Sequence, residues 1–501
     1  GVTNALSGIG EALLDSVPMV CIVGDVARGK KYRPFQVHEL PNVDLLRPVT
    51  KGVFEVNDVS GIADAIRKAF SLARSGEPGP VGVVIPYNYM LESHKYASPP
   101  MACEGVPFDE HAYQCALGML SNKRHRVGIY AGMGCMNYAP MLKQVAELME
   151  APIATSVSGK GVIDERHPLA VGWGYVPQGT RTAEKVFKDV DLVLAMGVRY
   201  SEVSTGFYAI PKTRHHIHVD INKKNLGRIV KPSQCVHSDA GAFLQRLLQD
   251  RCKITRATDA RQLQKIKRLK AHDYREHHRP QAKCGVEPMS LLLTLRKCLR
   301  SDALTFVDVT MSEHWAAEAF QVHQPRTYFN PTDNQSMGWS IPAAIGAQFA
   351  CPTRQVVTVT GDGCLMMTAM EMSTAAHLGL PVKFFVLDDQ AYHYMQLLQK
   401  AAYRRTTATI LPRLDYASFA KGLGLKYLEI MEPRQLQAGI CAALQCRGPI
   451  LVRVATNYGK RKCRWIDAAR SRFTEELSVG QMARFAARIG ARSLRLRKHN
   501  D

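Results

Sequence analysis

The stretch Gln355-Val356-Val357-Thr358-Val359-Thr360-Gly361-Asp362-Gly363 ends an apolar, β-branched run on a turn of two glycines and an aspartate. A helical run, Leu365–His377, follows, with its N-terminus at about Cys364. Gly379-Leu380-Pro381 then turns the chain into a second apolar run, Val382–Leu387, which stops at Asp388-Asp389. A strand–helix–strand unit of this length is right-handed and parallel, so both strands end at the same edge of the sheet. Ligands of such sheets bind at that carboxyl edge. Asp362 and Asp389, 27 positions apart, are therefore expected to face one another across neighbouring strand ends. Two carboxylates suit magnesium, which takes hard oxygen donors, phosphate oxygens and water. Gly361 and Gly363 let backbone approach a phosphate, and a helix N-terminus favours its charge. The reading is a magnesium-bridged diphosphate clamp. The plainer job of such aspartates is turn formation and helix capping, but the frame around them favours the clamp.

Outward from this stretch the same alternation of strands and helices repeats, the mark of parallel α/β sheets. The third segment, 288–459, adds strands Thr305–Val307 and Ile450–Val454. A first segment, 1–92, carries a helix Ile9–Asp15, strands Met19–Val23 and Val81–Ile85, and a helix Val59–Arg74. After the linker Ser93–Pro107 comes a second, 108–250, with strands Val127–Tyr130, Ile153–Thr155, Leu192–Ala195 and His216–Ile221. Three domains with parallel sheets flanked by helices are expected, the middle one Rossmann-like. Gly132-Met133-Gly134 follows a strand but lacks a third glycine and a ribose-binding acid, so a plain turn is the better reading than a nucleotide loop.

The chain has 501 residues, 46% of them hydrophobic, and a formal net charge of +21. Disorder and low complexity are excluded, and no apolar run is long enough to cross a bilayer. The charge is concentrated: Arg251–Lys283 holds eleven Lys/Arg against three Asp/Glu, and Lys460–Asp501 twelve against four. The first reads as an amphipathic linker helix, 251–287, with Leu263, Ile266 and Leu269 inward. The second reads as a helical tail, 460–501, with Phe473, Leu477, Met482, Phe485 and Ile489 as its apolar face. Solvated basic faces are the bland account; an RNA or DNA partner has no zinc-finger, RNA-recognition or helix-turn-helix signature behind it. Thirteen Cys without a C-x-x-C pair point to a reducing, cytoplasmic compartment. His215, His216 and His218 resemble a metal cluster, but strand alternation puts only His216 and His218 on one face.

The Gly361–Asp389 stretch resembles the thiamine diphosphate motif, G-D-G followed by Asn-Asn, with 24 residues between Gly363 and the pair Asp388-Asp389. Met337-Gly338-Trp339-Ser340-Ile341-Pro342 resembles the segment in which a bulky apolar residue bends that cofactor. Gly1-Val2-Thr3-Asn4, Asp15-Ser16-Val17-Pro18, Phe35-Gln36 and Gly79-Pro80-Val81 resemble the pyrimidine-binding domain. Ser158-Gly159-Lys160-Gly161, with His167-Pro168, is similar to the middle domain. The chain is identified as a member of the thiamine diphosphate enzymes, acetolactate synthase-like. The resemblance implies magnesium on Asp362, Asp389 and the carbonyl of Ala391. It implies diphosphate contacts from Gly361, Gly363, Cys364, Thr310, Met311 and Ser312, and further cofactor contacts from Asn4 and Tyr392. Met337 would wedge beneath the cofactor, and Phe35 and Gln36 would enter the site from a partner subunit. A homodimer or homotetramer acting on 2-oxo acids and aldehydes as a carboligase or lyase follows from it. A 2-oxo acid decarboxylase, a sulfoacetaldehyde-type acyltransferase and an inactive binding homologue are the other readings.

Departures from the family narrow this. The activating glutamate is expected upstream of the Gly1 match, on a segment this sequence does not contain, and Glu11 cannot take its place. Asp389 stands where the family has Asn. Leu398 stands near a pocket-shaping Trp of the acetohydroxyacid synthases. Arg199-Tyr200-Ser201-Glu202-Val203 departs from the Arg-Phe-Asp-Asp pattern of FAD-binding members, so FAD stays open with this departure against it. His393 and Tyr394 read equally as acid/base groups in a lid and as inert lining.

Overall fold

Short β-branched runs bounded by glycine and proline form fifteen strands among the described residues, all paired in parallel. The computed structural model describes residues 1–467 except 98, 283, 310 and 466, and beyond them 480, 481, 483, 484 and 487. The apolar face expected in the tail, Phe473 to Ile489, lies outside the described residues, as does Thr310.

The chain divides into two units. The first comprises Gly1–Asp109 with Ile221–Lys223 and Pro331–Ser336. Its strands are β1 (Met19–Asp25), β2 (Val53–Glu55) and β3 (Pro80–Pro86), ordered β1-β3-β2. β3 is buried throughout, while the edge strand β1 leaves Ile22 58% exposed. The first helix runs from Val2 to Leu14, longer than its apolar spacing suggested, and Val59–Gly61 is a 3₁₀ turn ahead of the helix Ile62–Arg74. Asp58 caps that turn through Ser60 N and Gly61 N.

The second unit carries two six-stranded sheets. One holds β4 (Val127–Ala131), β5 (Ile153–Thr155), β6 (Ala170–Trp173), β7 (Leu192–Met196), β8 (His215–Asp220) and β9 (Gln234–His237), ordered β6-β5-β4-β7-β8-β9. The other holds β10 (Leu304–Val307), β11 (Tyr328–Phe329), β12 (Val356–Gly361), β13 (Lys383–Asp388), β14 (Lys426–Ile430) and β15 (Ile450–Ala455), ordered β11-β10-β12-β13-β15-β14. Strands β10, β12 and β13 are buried on both faces, which is why they read as unbroken apolar runs. The helix Ala260–His278 buries Ile266 and Asp273. Its Lys270 Nζ donates to the carbonyls of Glu165, His167 and Ala170, and Asp273 accepts from Thr182 N and Oγ1.

The histidines on β8 are core residues. His216 and His218 are buried, with rings 5.9 Å apart, while half-buried His215 packs on His125. Tyr200 Oη lies 2.6 Å from His216 Nε2, and His218 Nε2 lies 3.0 Å from the Val198 carbonyl. Gly132 and Gly134 serve close packing: a Cβ on either would meet Gly197 backbone within 2.7 Å. All thirteen cysteines are free thiols.

Candidate functional site

The helix after β12 begins at Asp362 itself, two residues before the expected start, and Gly361 caps it without a side chain. It also breaks: Asp362–Thr368 and Met372–His377 flank a 3₁₀ turn, Ala369–Glu371. Thr368, the residue ahead of that turn, donates its Oγ1 to the Gly338 carbonyl rather than serving an unbroken helix surface. β12 and β13 pair with Gly361 opposite Leu387, so Asp362 stands beside the turn that follows Asp388. Its Oδ1 accepts from Gly363 N at 2.8 Å and its Oδ2 from Gln390 N at 2.6 Å. Burial first, and the charge of Asp389 next, push the Asp362 carboxyl up to about 7. Two acids crowded at one strand edge, with carboxylate lone pairs to spare, are a donor set that fits a hard divalent cation.

The neighbouring acids part company. Asp388 turns into the sheet, where its Oδ2 accepts from Arg453 Nε at 2.7 Å. Asp389 turns to the cleft, where its Oδ2 lies 3.0 Å from His393 Nδ1. The His393 ring stacks on Tyr458 at 3.8 Å, interplanar angle 13°. His393 is thus held between Asp389 and Tyr458. The Ala391 carbonyl accepts from His393 N at 2.8 Å and keeps a second lone pair. Gln390, at φ +57, makes the sharp turn between the acid and that carbonyl.

One cleft gathers Asp362, Gly363, Cys364, Asp389, Tyr392 and Met337. The Tyr392 ring lies against Gly363, where a Cβ would meet its Cε1 at 2.5 Å. Cys364 is buried and its Sγ donates to the Val309 carbonyl at 3.0 Å. Met311 lines the cleft from the start of the helix Met311–Ala319, while Ser312 is fully buried behind it. Tyr394, Met395 and Tyr458 complete the wall. Tyr458 lies just beyond β15, at the same carboxyl edge; its place could have been read from the strand ending at Val454.

Residues 308–454 match the family described as thiamine pyrophosphate enzyme, C-terminal TPP binding domain, and 113–247 match thiamine pyrophosphate enzyme, central domain. The chain is 30% identical over 479 residues to the acetolactate synthase large subunit of Parasynechococcus marenigrum (strain WH8102), covering 92% of this chain and 76% of the relative. The chain belongs to the thiamine pyrophosphate enzymes, acetolactate synthase-like. It is also 28% identical over 468 residues to the acetolactate synthase isozyme 1 large subunit of Escherichia coli (strain K12), covering 91% of this chain and 80% of that protein. A probable acetolactate synthase large subunit of Methanococcus aeolicus is 26% identical over 479 residues, covering 90% and 79%.

For this thiamine pyrophosphate enzyme, three of the residues expected at the cofactor lie in the first unit. Asn4 is exposed on the helix Val2–Leu14. Phe35 is fully exposed at φ +63, and Gln36 donates its Nε2 to the Ala27 carbonyl at 2.8 Å. Glu11 is buried within the same unit, where its Oε2 accepts from Ser336 N.

Proposed function

We propose that this chain is a thiamine diphosphate- and magnesium-dependent carboligase or lyase acting on a 2-oxo acid, with an aldehyde or second oxo acid as acceptor. The observation that carries this reading is the convergence of Asp362 and Asp389 on one strand edge beside Gly361 and Gly363. Asp362, Asp389 and the Ala391 carbonyl would hold the cation, and the first turn at Gly361–Cys364 the diphosphate. The bound cofactor would supply the electron sink for decarboxylation and carbon–carbon bond formation. Met337 would press the cofactor into its bent shape, and the Tyr392, Tyr394 and Tyr458 wall would keep water from the reacting carbon. His393 would hold Asp389 facing the cation.

A homodimer or homotetramer goes with this reading. Phe349, Met366, Met367 and Met370 are 52–70% exposed on the helices around the cleft domain, an apolar surface of the kind that subunits cover. Flavin is left out. Tyr130, Tyr175, Tyr200, His216 and His218 fill the space around β4, β7 and β8 as a buried ring cluster, with Tyr130 and Tyr175 rings 5.0 Å apart. No helix among the described residues is long and apolar enough to cross a membrane, and the thirteen free thiols favour a reducing, cytoplasmic setting.

Calorimetry with thiamine diphosphate, with and without magnesium, tests the reading, followed by product analysis on pyruvate and other 2-oxo acids. Uptake that depends on magnesium and is lost in Asp362→Ala supports it. Uptake indifferent to magnesium refutes it, and uptake without any product favours the inactive homologue.

A further inference from the structure

Met337 is the residue expected to shape the cofactor, yet nothing in its own side chain fixes where it stands. It is 37% exposed and sits on a loop, one residue ahead of Gly338. What fixes the loop is Asp308, at the end of β10 and with no exposed surface. Its Oδ1 accepts from Gly338 N at 3.0 Å and from Val309 N at 2.9 Å. Its Oδ2 accepts from Ser340 N at 3.1 Å, Ser340 Oγ at 2.7 Å and Thr360 Oγ1 at 3.2 Å. One carboxylate thus gathers five donors from three places: its own turn, the loop carrying Met337, and β12 just ahead of Asp362. Gly338 is clamped from the other side too, because its carbonyl accepts from Thr368 Oγ1 at 2.7 Å. At φ +84, a Cβ there would lie 2.8 Å from Thr368 Oγ1 and 3.0 Å from the Cys364 carbonyl. The loop therefore has one backbone path, and Asp308 holds it.

We propose that Asp308 is a positioning residue, setting Met337 in register with the diphosphate turn through Gly338 and Thr360. The proposal rests on the reading of the cleft as a cofactor site. The acceptor array demands a carboxylate. In Asn, one oxygen is replaced by an NH₂ donor, which would confront the N–H of either Gly338 or Ser340. A buried donor facing another donor is left unsatisfied and costly, so the loop should shift to relieve it.

The test uses the full chain labelled with [¹³C-methyl]methionine, the Met337 resonance being assigned by its loss in Met337→Leu. In the unsubstituted protein, that resonance should move on addition of magnesium and thiamine diphosphate. In Asp308→Asn, with the circular dichroism of the fold retained, it should be displaced before any ligand is added. Turnover should then fall about 10²-fold, the scale of a lost orientation, with a smaller change in cofactor affinity. If the unsubstituted Met337 resonance ignores the cofactor, the cofactor reading fails and Asp308 has no register to set. If it responds, but Asp308→Asn leaves it coincident with the unsubstituted signal, the proposal for Asp308 is overturned. Should Asp308→Asn not fold, Ser340→Ala and Thr360→Val each remove one hydroxyl donor while keeping the carboxylate. Graded displacement of Met337 in that pair supports the proposal, and none overturns it.

Discussion

The contact between Gly363 and Tyr392 fixes the width of the cleft, and a methyl group measures it. In Gly363→Ala the new Cβ would lie 2.5 Å from Tyr392 Cε1, 2.8 Å from its Cδ1 and 3.5 Å from Leu411 Cδ1. Carbon atoms rest about 3.5–4.0 Å apart, so the ring must retreat by about 1 Å. Overpacking of this kind costs about 1–3 kcal/mol. Against it, alanine in place of glycine inside a helix is worth about 1 kcal/mol, and Gly363 has no positive φ to penalise it. The single variant should therefore lose up to about 2 kcal/mol. In a Tyr392→Ala background the sign should reverse, the same change gaining about 0.5–1 kcal/mol. Urea unfolding of the four proteins, without cofactor, closes a double-mutant cycle whose coupling term should be about 1–3 kcal/mol. Additivity within about 0.3 kcal/mol would show that Tyr392 does not rest on residue 363, and the described cleft would be wrong.

Asp388 and Asp389 should separate cleanly. Asp388→Ala removes one of the two carboxylates that hold Arg453, leaving Glu429 at 3.1 Å, and should cost about 1–3 kcal/mol in chemical unfolding while the cation site keeps its ligands. Asp389→Ala should abolish magnesium-dependent cofactor uptake in calorimetry while costing little stability. A reversal of that pattern would exchange their roles. Lys160, whose Nζ meets Glu165 Oε1 at 2.6 Å with 2% of its side chain exposed, should cost about 3–5 kcal/mol as Lys160→Met. Adding Glu165→Gln, which keeps an acceptor for Val322 N, should recover part of that loss, again by urea unfolding. Acid should destabilise the fold through His216 and His314, whose burial holds both neutral by pushing them down to about 3 from 6.5. Their contribution is intact above pH 6.5 and lost as pH falls towards 3, because only the unfolded chain protonates freely in that window. At about pH 5 the loss is about 2 kcal/mol for each, so His314→Phe should flatten the pH dependence of unfolding by that amount; an unchanged slope would refute it.

The third segment was the most legible part of the sequence, because its strands are buried on both faces and read as unbroken β-branched runs. Ile153–Thr155 has the bounds expected, and Leu304–Val307 and Ile450–Ala455 differ from expectation by one residue. The five strands that went unread are edge strands or short ones: β2 has three residues, β11 two and the edge strand β6 four, while β9 and β14 carry exposed residues that break the pattern. Within the cleft, Asp362 and Asp389 were readable from strand ends alone. Which of Asp388 and Asp389 faces inward was not, because Arg453, its determinant, lies on a strand 65 residues away. Asp308 also escaped, since three of its five donors are backbone N–H groups that leave no residue signature, and the two hydroxyls, on Ser340 and Thr360, lie 32 and 52 residues away. The break after Thr368 was equally silent: the residue at it bonds a carbonyl on another loop, 30 residues away.

The hydrogen bonds from Thr182 to Asp273 carry a practical lesson about cutting this protein. The helix Arg181–Phe187 receives no side-chain cap from its own N-cap residue, Thr180. The carboxylate of Asp273, borrowed from the helix Ala260–His278, takes its second N–H instead. An expression fragment that stops near residue 250 would strip a sister segment of its terminal acceptor and bare Ile266's seat at the same stroke. Fragments of the Rossmann-like portion should keep that long helix through His278.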